Sequence, residues 1–243
     1  MKPAAKPSSE TRAVALDHLD LRFAPRAWPF AQQRRVAIDR HFAELKSKIP
    51  SLWNGRVMLL SNWAIADRSF VGTYFDTDFA SFLAWRDWGV PDPSVRNCFA
   101  QGALRAADGA FLLGVMAAHT ANAGKIYFPS GTPDLNDVSG DRVDLFGSVM
   151  RELAEETGLA AGDVTPTSGW HAVFAGPRIG MMKILHAAVP ASALRDRIRA
   201  FLATQEAPEL ADVRIVRGPA DFDPMMPPFV TTFLNEAWRT DRN

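Results

Sequence analysis

The sequence predicts an α+β protein, an α/β/α sandwich around a mixed sheet with an N-terminal α/β extension. Three observations carry this. Apolar residues recur with a period near two in several short stretches and at spacings of three and four in others, so strands and helices are both present. The two kinds are interspersed without regular strand–helix–strand alternation, which argues against an all-parallel doubly wound sheet. The chain has 243 residues, 47% of them hydrophobic, enough for a catalytic domain and a smaller companion. The break Gly89-Val90-Pro91-Asp92-Pro93 places the expected boundary, giving an extension or small subdomain over 1–92 and a main domain over 93–243.

The elements follow in order. Val14, Leu16, Leu19, Leu21 and Phe23 alternate with polar residues and predict one strand ending before Pro25. Val36, Ile38, Phe42, Leu45 and Ile49 form the apolar stripe of a helix stopped by Pro50. Asn54-Gly55 reads as a tight turn, residues 56–74 as strand material, and Asp76 or Thr77 as the cap of a short helix bearing Phe79, Phe82 and Trp85. Residues 95–105 and 110–117 read as strands joined by a turn at Ala107-Asp108-Gly109, and 125–128 as a short strand. A long Gly/Pro/Asp loop spans 129–143, and loops of that length inside compact domains are usually functional or disordered. A helix over about 144–157 stops at Gly158, the residue type favoured for a left-handed C-terminus. Strands at 170–174, 181–189 and 213–216 and helices at 191–204 and 229–238 complete the reading.

Composition excludes some partners. Lys+Arg and Asp+Glu both total 27, so there is no overall basic field to draw nucleic acid or acidic lipid, and both are disfavoured. No stretch reaches the apolar length of a membrane span, and residues 1–11 lack the hydrophobic centre of a signal peptide. A soluble, cytoplasmic protein with a frayed start is expected. The single cysteine, Cys98 beside Phe99, reads as a buried apolar thiol.

The chemistry concentrates on one helix. Glu152 and Glu156 are four residues apart and Glu152 and Glu155 three apart, so their carboxylates reach one patch of helix surface. Such like charges repel by a few tenths of a kcal/mol per pair, and anions in a last helical turn oppose the helix dipole. A hard divalent cation reverses both penalties. An all-oxygen donor set favours Mg²⁺ or Mn²⁺ over Zn²⁺.

The run Arg151-Glu152-Leu153-Ala154-Glu155-Glu156-Thr157-Gly158-Leu159 resembles the second half of the Nudix box, R-E-U-x-E-E-x-G-U with U aliphatic, at every fixed position. The resemblance implies a Nudix-type sandwich and Mg²⁺-dependent hydrolysis of a nucleoside diphosphate linked to another moiety. It makes Glu152, Glu155 and Glu156 metal ligands, with Glu152 alternatively the base that orients water, and Arg151 the residue that holds a carboxylate in place. The first half departs: the family pattern puts glycine at 137 and glutamate at 143, where this chain has Asp137 and Val143. Gly131, in Phe128-Pro129-Ser130-Gly131, becomes the candidate box glycine, with a backbone group for the metal. Asp144 and Asp141 become candidates for the missing acid, Asp144 preferred, and Glu206 and Glu209 for a further downstream one.

Asn54-Gly55, Gly72-Thr73-Tyr74, Phe79-x2-Phe82 and Arg86-Asp87 are loosely similar to the segment preceding the Nudix domain in nucleoside-diphosphate-sugar diphosphatases, which biases the substrate towards a nucleotide sugar. ADP-ribose, a dinucleotide or coenzyme A is the alternative, and a non-catalytic nucleotide-binding protein of the same fold is the second. Lys125, Arg178 and Lys183 are candidates to face phosphates. His119 reads as an exposed loop residue, and His171 and His186 as sheet-face residues. The aromatics between Trp53 and Trp88 read as a core, with one ring available to stack on a base. The loop stretch 134–139 is expected to shape selectivity.

Overall fold

The computed structural model describes residues 11–240, so the start expected to be frayed lies, apart from Thr11, outside the described residues. Numbered along the chain, the strands of the larger sheet lie in the order β1 (Arg12–Leu16), β12 (Trp170–Ala175), β13 (Arg178–Ala187), β5 (Asn97–Arg105), β6 (Phe111–Met116), β14 (Leu210–Val216). Three short strands join off this path: β11 (Val164–Pro166) on β13, β7 (Ile126–Tyr127) on β6 and β8 (Ser130–Gly131) on β5. The smaller sheet has the order β3 (Arg56–Ala66), β4 (Ser69–Asp78), β2 (His18–Phe23), β10 (Arg142–Val143), β9 (Val138–Ser139). Each sheet contains one parallel pairing, β13 with β5 and β2 with β4, so both are mixed, as the sequence predicts.

Helices cover both faces of the larger sheet. On one side α4 (Leu145–Thr157) packs Val149 against the Gly102 position of β5, and α5 (Ala191–Leu202) brings Phe201 against Gly158 at the end of α4. On the other side α6 (Pro228–Thr240) sets Phe229 edge-on to Phe99 and Phe233 edge-on to Phe111 and Phe128. The N-terminal helices α1 (Pro29–Gln33), α2 (Arg35–Lys48) and α3 (Phe79–Asp87) pack on one another, with Ile38 of α2 fully buried against Ala80 and Ala84 of α3.

The two halves of the chain exchange strands. The expected single strand over 14–23 is broken at Asp17: β1 pairs with β12 in the larger sheet, whereas β2 pairs with β4 and β10 in the smaller one. Leu16, Leu21, Met58, Phe70 and Tyr74 belong to the same core as Cys98, Phe128 and Val149. The break at 89–93 is a connection between α3 and β5, with strand pairing and core packing continuing across it. A protein beginning at Pro91 loses β1 from the sheet edge and the covering of that core. Residues 91–243 expressed alone are therefore expected to be insoluble or to lack a cooperative melt; a soluble fragment with the kinetics of the full chain overturns this.

Local expectations change for physical reasons. Residues 56–74 are not one strand: Asp67 and Arg68, both at positive φ, form the tight turn of the β3–β4 hairpin. Asn54-Gly55 is no turn but an extended lead-in, where Asn54 Oδ1 accepts from the Ala80 amide at 2.8 Å and supports the start of α3. The cap of that helix is Asp78, whose carboxylate accepts from the Ser81 amide at 2.9 Å, and not Asp76 or Thr77. Val36, placed on the apolar stripe of α2, is 85% exposed, because a stripe through Ile38, Phe42 and Leu45 turns it outward. The loop 129–143 is ordered into β8, a 3₁₀ turn at Leu135–Asp137 and the β9–β10 hairpin, which the smaller sheet extends through Arg142 and Arg22.

Candidate active site

β5 and β6 pair only at Arg105 and Phe111. Beyond that point β8 runs along β5, with Gln101 opposite Ser130 and Ala100 opposite Gly131, while β7 runs along β6. The C-terminal half of α4 reaches this fork. Two features start and stop that helix: Asp144 Oδ1 accepts from the Gly147 amide at 2.9 Å, and Gly158 closes it in the left-handed region at φ 70°. Leu145, Val149 and Leu153 are the side chains that anchor it, while Phe146 is 38% exposed.

Glu156 is buried, and its Oε1 accepts from the Ser130 amide at 2.9 Å. Its Oε2 is buried without a hydrogen-bond partner among the described residues. Glu152 lies directly over Gly131: a Cβ there would stand 2.2 Å from Glu152 Oε1. Only glycine permits the carboxylate to sit on this backbone. Burial pushes the Glu152 carboxyl up to about 7, with the charges of Glu155, Glu209 and Asp137 adding to it and that of Arg151 opposing it. Burial raises Glu156 well above the ordinary carboxylate range, partly offset by the Ser130 amide. Both groups therefore resist ionisation where they stand. Glu155, the third acid of the run, is exposed.

The acid that partners Arg151 is neither Asp144 nor Asp141. Asp137 is buried, accepts from Arg151 Nη1 at 3.0 Å through Oδ1, and accepts from the Asp134 amide at 3.1 Å through Oδ2. Arg151 Nη2 in turn approaches Glu152 Oε1 at 3.4 Å. The chain Asp137–Arg151–Glu152 thus fixes the carboxylate over Gly131. Asp144 is spent as the cap of α4, twelve residues and roughly 18 Å of helix from Glu156, so it shares no ion with that side chain. Asp141 is exposed and paired with Arg22 at 2.5 Å. Downstream, Glu209 acts electrostatically on both Glu152 and Glu156, and Glu206 does not figure among those influences.

Asp137 also changes the reading of 134–139. That stretch carries the partner of Arg151, and none of its residues lines the cleft described next. Shortening it is expected to damage turnover of every substrate alike. Asp137→Asn is expected to lower kcat about tenfold or more, with a smaller effect on KM, because it loosens Glu152 without touching the cleft; an unchanged kcat sinks the assignment.

Ser130 and Gly131 border a cleft of about 460 Å³. Its walls are aromatic, with Phe79 and Phe82 from α3, Phe99 from β5 and Phe229 from α6, and its charged lining residues, Arg86, Lys125 and Arg178, are all cationic. Of the phosphate-facing candidates, Lys125 and Arg178 are brought here. Lys183 is not: it is buried elsewhere, donating to the carbonyls of Ser168 and Gly169 at 3.2 and 3.1 Å beneath Trp170. His119 and His186 are exposed and do not line the cleft, and His171 packs edge-on to Phe233, burial lowering its proton affinity. Cys98 is buried, its thiol pushed up to about 12, which leaves it unreactive.

Among the described residues no three His, Cys, Asp or Glu side chains converge into a ready-made metal cage. The donors nonetheless suit a divalent ion. An unpartnered buried carboxylate oxygen, a second carboxylate on a bare glycine and backbone carbonyls of the 129–131 segment are hard oxygen ligands, and the ionised form of Glu156 lacks a counter-charge that a cation supplies.

No protein-family model matches the chain, and no curated protein matches it. Among solved structures the chain is similar to a Nudix hydrolase from M. smegmatis, RenU, with 23% identity over 60% of this chain and 87% of that chain and a TM-score of 0.40. It is also similar to the MutT protein from Methanosarcina mazei Go1, with 18% identity over 61% of this chain and 96% of that one and a TM-score of 0.40. The chemistry is carried by the two carboxylates, the glycine beneath Glu152 and the cleft that Ser130 and Gly131 border.

Proposed function

We propose that this protein is a Nudix-type hydrolase that cleaves a nucleoside diphosphate linked to another moiety, giving a nucleoside monophosphate and the phosphorylated remainder. The carrying observation is the pair Glu152 and Glu156, held against Ser130 and Gly131, which border an aromatic and cationic cleft. Glu152, Glu156 and the Ser130–Gly131 backbone are the residues that would hold Mg²⁺ or Mn²⁺, and Glu155 and Glu209, whose charges act on both glutamates, are the further candidates. Such an ion neutralises diphosphate charge and lowers the pKa of water, supplying a nucleophile at neutral pH.

The protein's own groups do the rest. Arg151, braced by Asp137, holds the Glu152 carboxylate in one orientation, and Glu152 accepts the proton of the attacking water. Glu156 stays aligned through the Ser130 amide. Lys125 and Arg178 neutralise substrate anions, and the rings of Phe79, Phe82, Phe99 and Phe229 take the flat or apolar part of the substrate and exclude water. The N-terminal segment contributes Phe79, Phe82 and Arg86 to this wall, which favours a nucleotide sugar or a similarly extended diphosphate over a bare triphosphate.

The departure in the first half of the box does not argue for a protein that binds without cleaving, since Asp137 restores a carboxylate to Arg151. The test is phosphate chemistry on a panel of nucleotide sugars, ADP-ribose, dinucleotides and coenzyme A, with and without Mg²⁺. Metal-dependent release of a nucleoside monophosphate from at least one is the expected result. Binding of panel members with no turnover at any Mg²⁺ or Mn²⁺ concentration overturns it.

A further inference from the structure

The cleft is ordered along its length. Asn97, Phe99 and Gln101 occupy alternate positions of β5, so all three present to one face, and all three line the cleft. At one end Gln101 donates through Nε2 to Ser130 Oγ at 3.0 Å, beside the glutamates. In the middle Phe99 meets Phe229 with ring centroids 5.4 Å apart. At the far end Asn97 stands opposite Arg178 in the parallel register of β5 and β13. Four residues of strand, roughly 13 Å, separate the two ends, more than a diphosphate alone spans.

The far end is built for an anion. Arg178 has no hydrogen-bonding or ion-pairing partner for its guanidinium among the described residues, and the charge that acts on it is another cation, Arg86. Arg86 is itself held by Asp87 at 2.7 Å, so that carboxylate is committed elsewhere. Beside them Asn97 Oδ1 is buried and unpartnered, an acceptor awaiting a donor such as a sugar hydroxyl. Both guanidinium groups line this end of the cleft, and with no carboxylate paired to Arg178 among the described residues, an entering anion relieves the repulsion between them.

We propose that the moiety linked to the diphosphate carries a further anionic group, a phosphate or a carboxylate, which Arg178 and Arg86 receive at the end of the cleft remote from the glutamates. This rests on the diphosphatase reading for what occupies the other end. It narrows the substrate from any linked nucleotide to one with charge at both ends and an apolar or planar part over Phe99.

The experiment measures equilibrium binding by calorimetry in a chelating, low-salt buffer, where no turnover occurs. Two matched pairs are compared: ADP-ribose 1″-phosphate with ADP-ribose, differing by a phosphate on the linked ribose, and UDP-glucuronate with UDP-glucose, differing by a carboxylate on the linked sugar. The full chain is expected to bind the anion-bearing member of at least one pair about tenfold or more tightly, the pair that discriminates identifying the anion. Arg178→Gln should bring that ratio to near one, and Arg178→Lys should restore part of it. No discrimination in either pair, or an Arg178→Gln protein that keeps the full ratio, overturns the proposal. Discrimination in binding together with inertness towards the whole panel would instead leave this subsite standing and remove the hydrolase reading.

Discussion

Glu156→Gln is expected to lower kcat by at least a hundredfold while making the protein more stable without metal. The amide keeps the shape and the Ser130 hydrogen bond but gives up an ionisable oxygen that is buried without a partner. A variant retaining more than about a tenth of the wild-type rate at saturating Mg²⁺, a cost of only ~1.4 kcal/mol, contradicts the role given to this side chain. The stability effect has a definite direction with pH. Burial raises the carboxyls of Glu152 and Glu156, so the folded state holds protons that the unfolded chain has released, and stability falls as pH rises. For Glu152 the window runs from the ordinary carboxylate range to about 7. In chelator, Glu156→Gln should therefore melt above the wild type at pH 8, and the gap should close towards pH 5. Each kcal/mol corresponds to about 2–4 °C in a chain of this size. Added Mg²⁺ should raise the melting temperature of the wild type and not of the variant. A variant less stable than wild type at pH 8 in chelator argues against a buried, uncompensated carboxylate.

Gly131→Ala is the complementary change, since it leaves every acid in place. Its methyl group would stand 2.2 Å from Glu152 Oε1, and Gly131 is not among the residues at positive φ, so alanine adds a steric demand without backbone strain. The carboxylate must move by about an ångström or more, a displacement that typically costs on the order of a hundredfold in rate. The expected result is a loss of that size in kcat with a raised Mg²⁺ requirement and an unchanged melting temperature. Near wild-type kcat and Mg²⁺ dependence would show that Glu152 does not work from its place over Gly131.

What the sequence disclosed follows from the range of the interactions involved. The helix bearing Glu152 and Glu156 is legible because its apolar spacing, its acids and Gly158 are all local, and Gly131 stands out as the first glycine after the short strand ahead of the loop. Asp137 was missed. It reaches Arg151 across fourteen positions through a 3₁₀ turn and a two-residue hairpin, and no periodic pattern marks so short a structure. Asp144 was preferred because a helix holds it firmly. It does, and for that reason the carboxylate is committed to the Gly147 amide. The cleft escaped because its walls come from α3, β5, β13 and α6, which meet only in three dimensions. The signal available was chemical: Arg86 and Arg178 lie in segments with aromatic neighbours and no compensating acid aimed at Arg178.

The split at Asp17 bears on how the chain reaches this structure. β1 pairs Arg12 with Phe174, and β2 pairs Arg22 with Arg142 as well as His18 with Ser69, so β1 in particular depends on a partner far along the chain. Closing contacts of such long sequence separation is slow, because the loop entropy is lost before the pairing stabilises anything. During synthesis the β3–β4 hairpin, with its tight turn at Asp67-Arg68, has a partner at once, whereas β1 must wait until the β12–β13 hairpin is complete. Until then an apolar strand edge is open to other chains, the condition under which nascent proteins aggregate or engage chaperones. β1, the strand that ties the segment before the smaller sheet into the larger one, is thus also the pairing with the longest time to go astray.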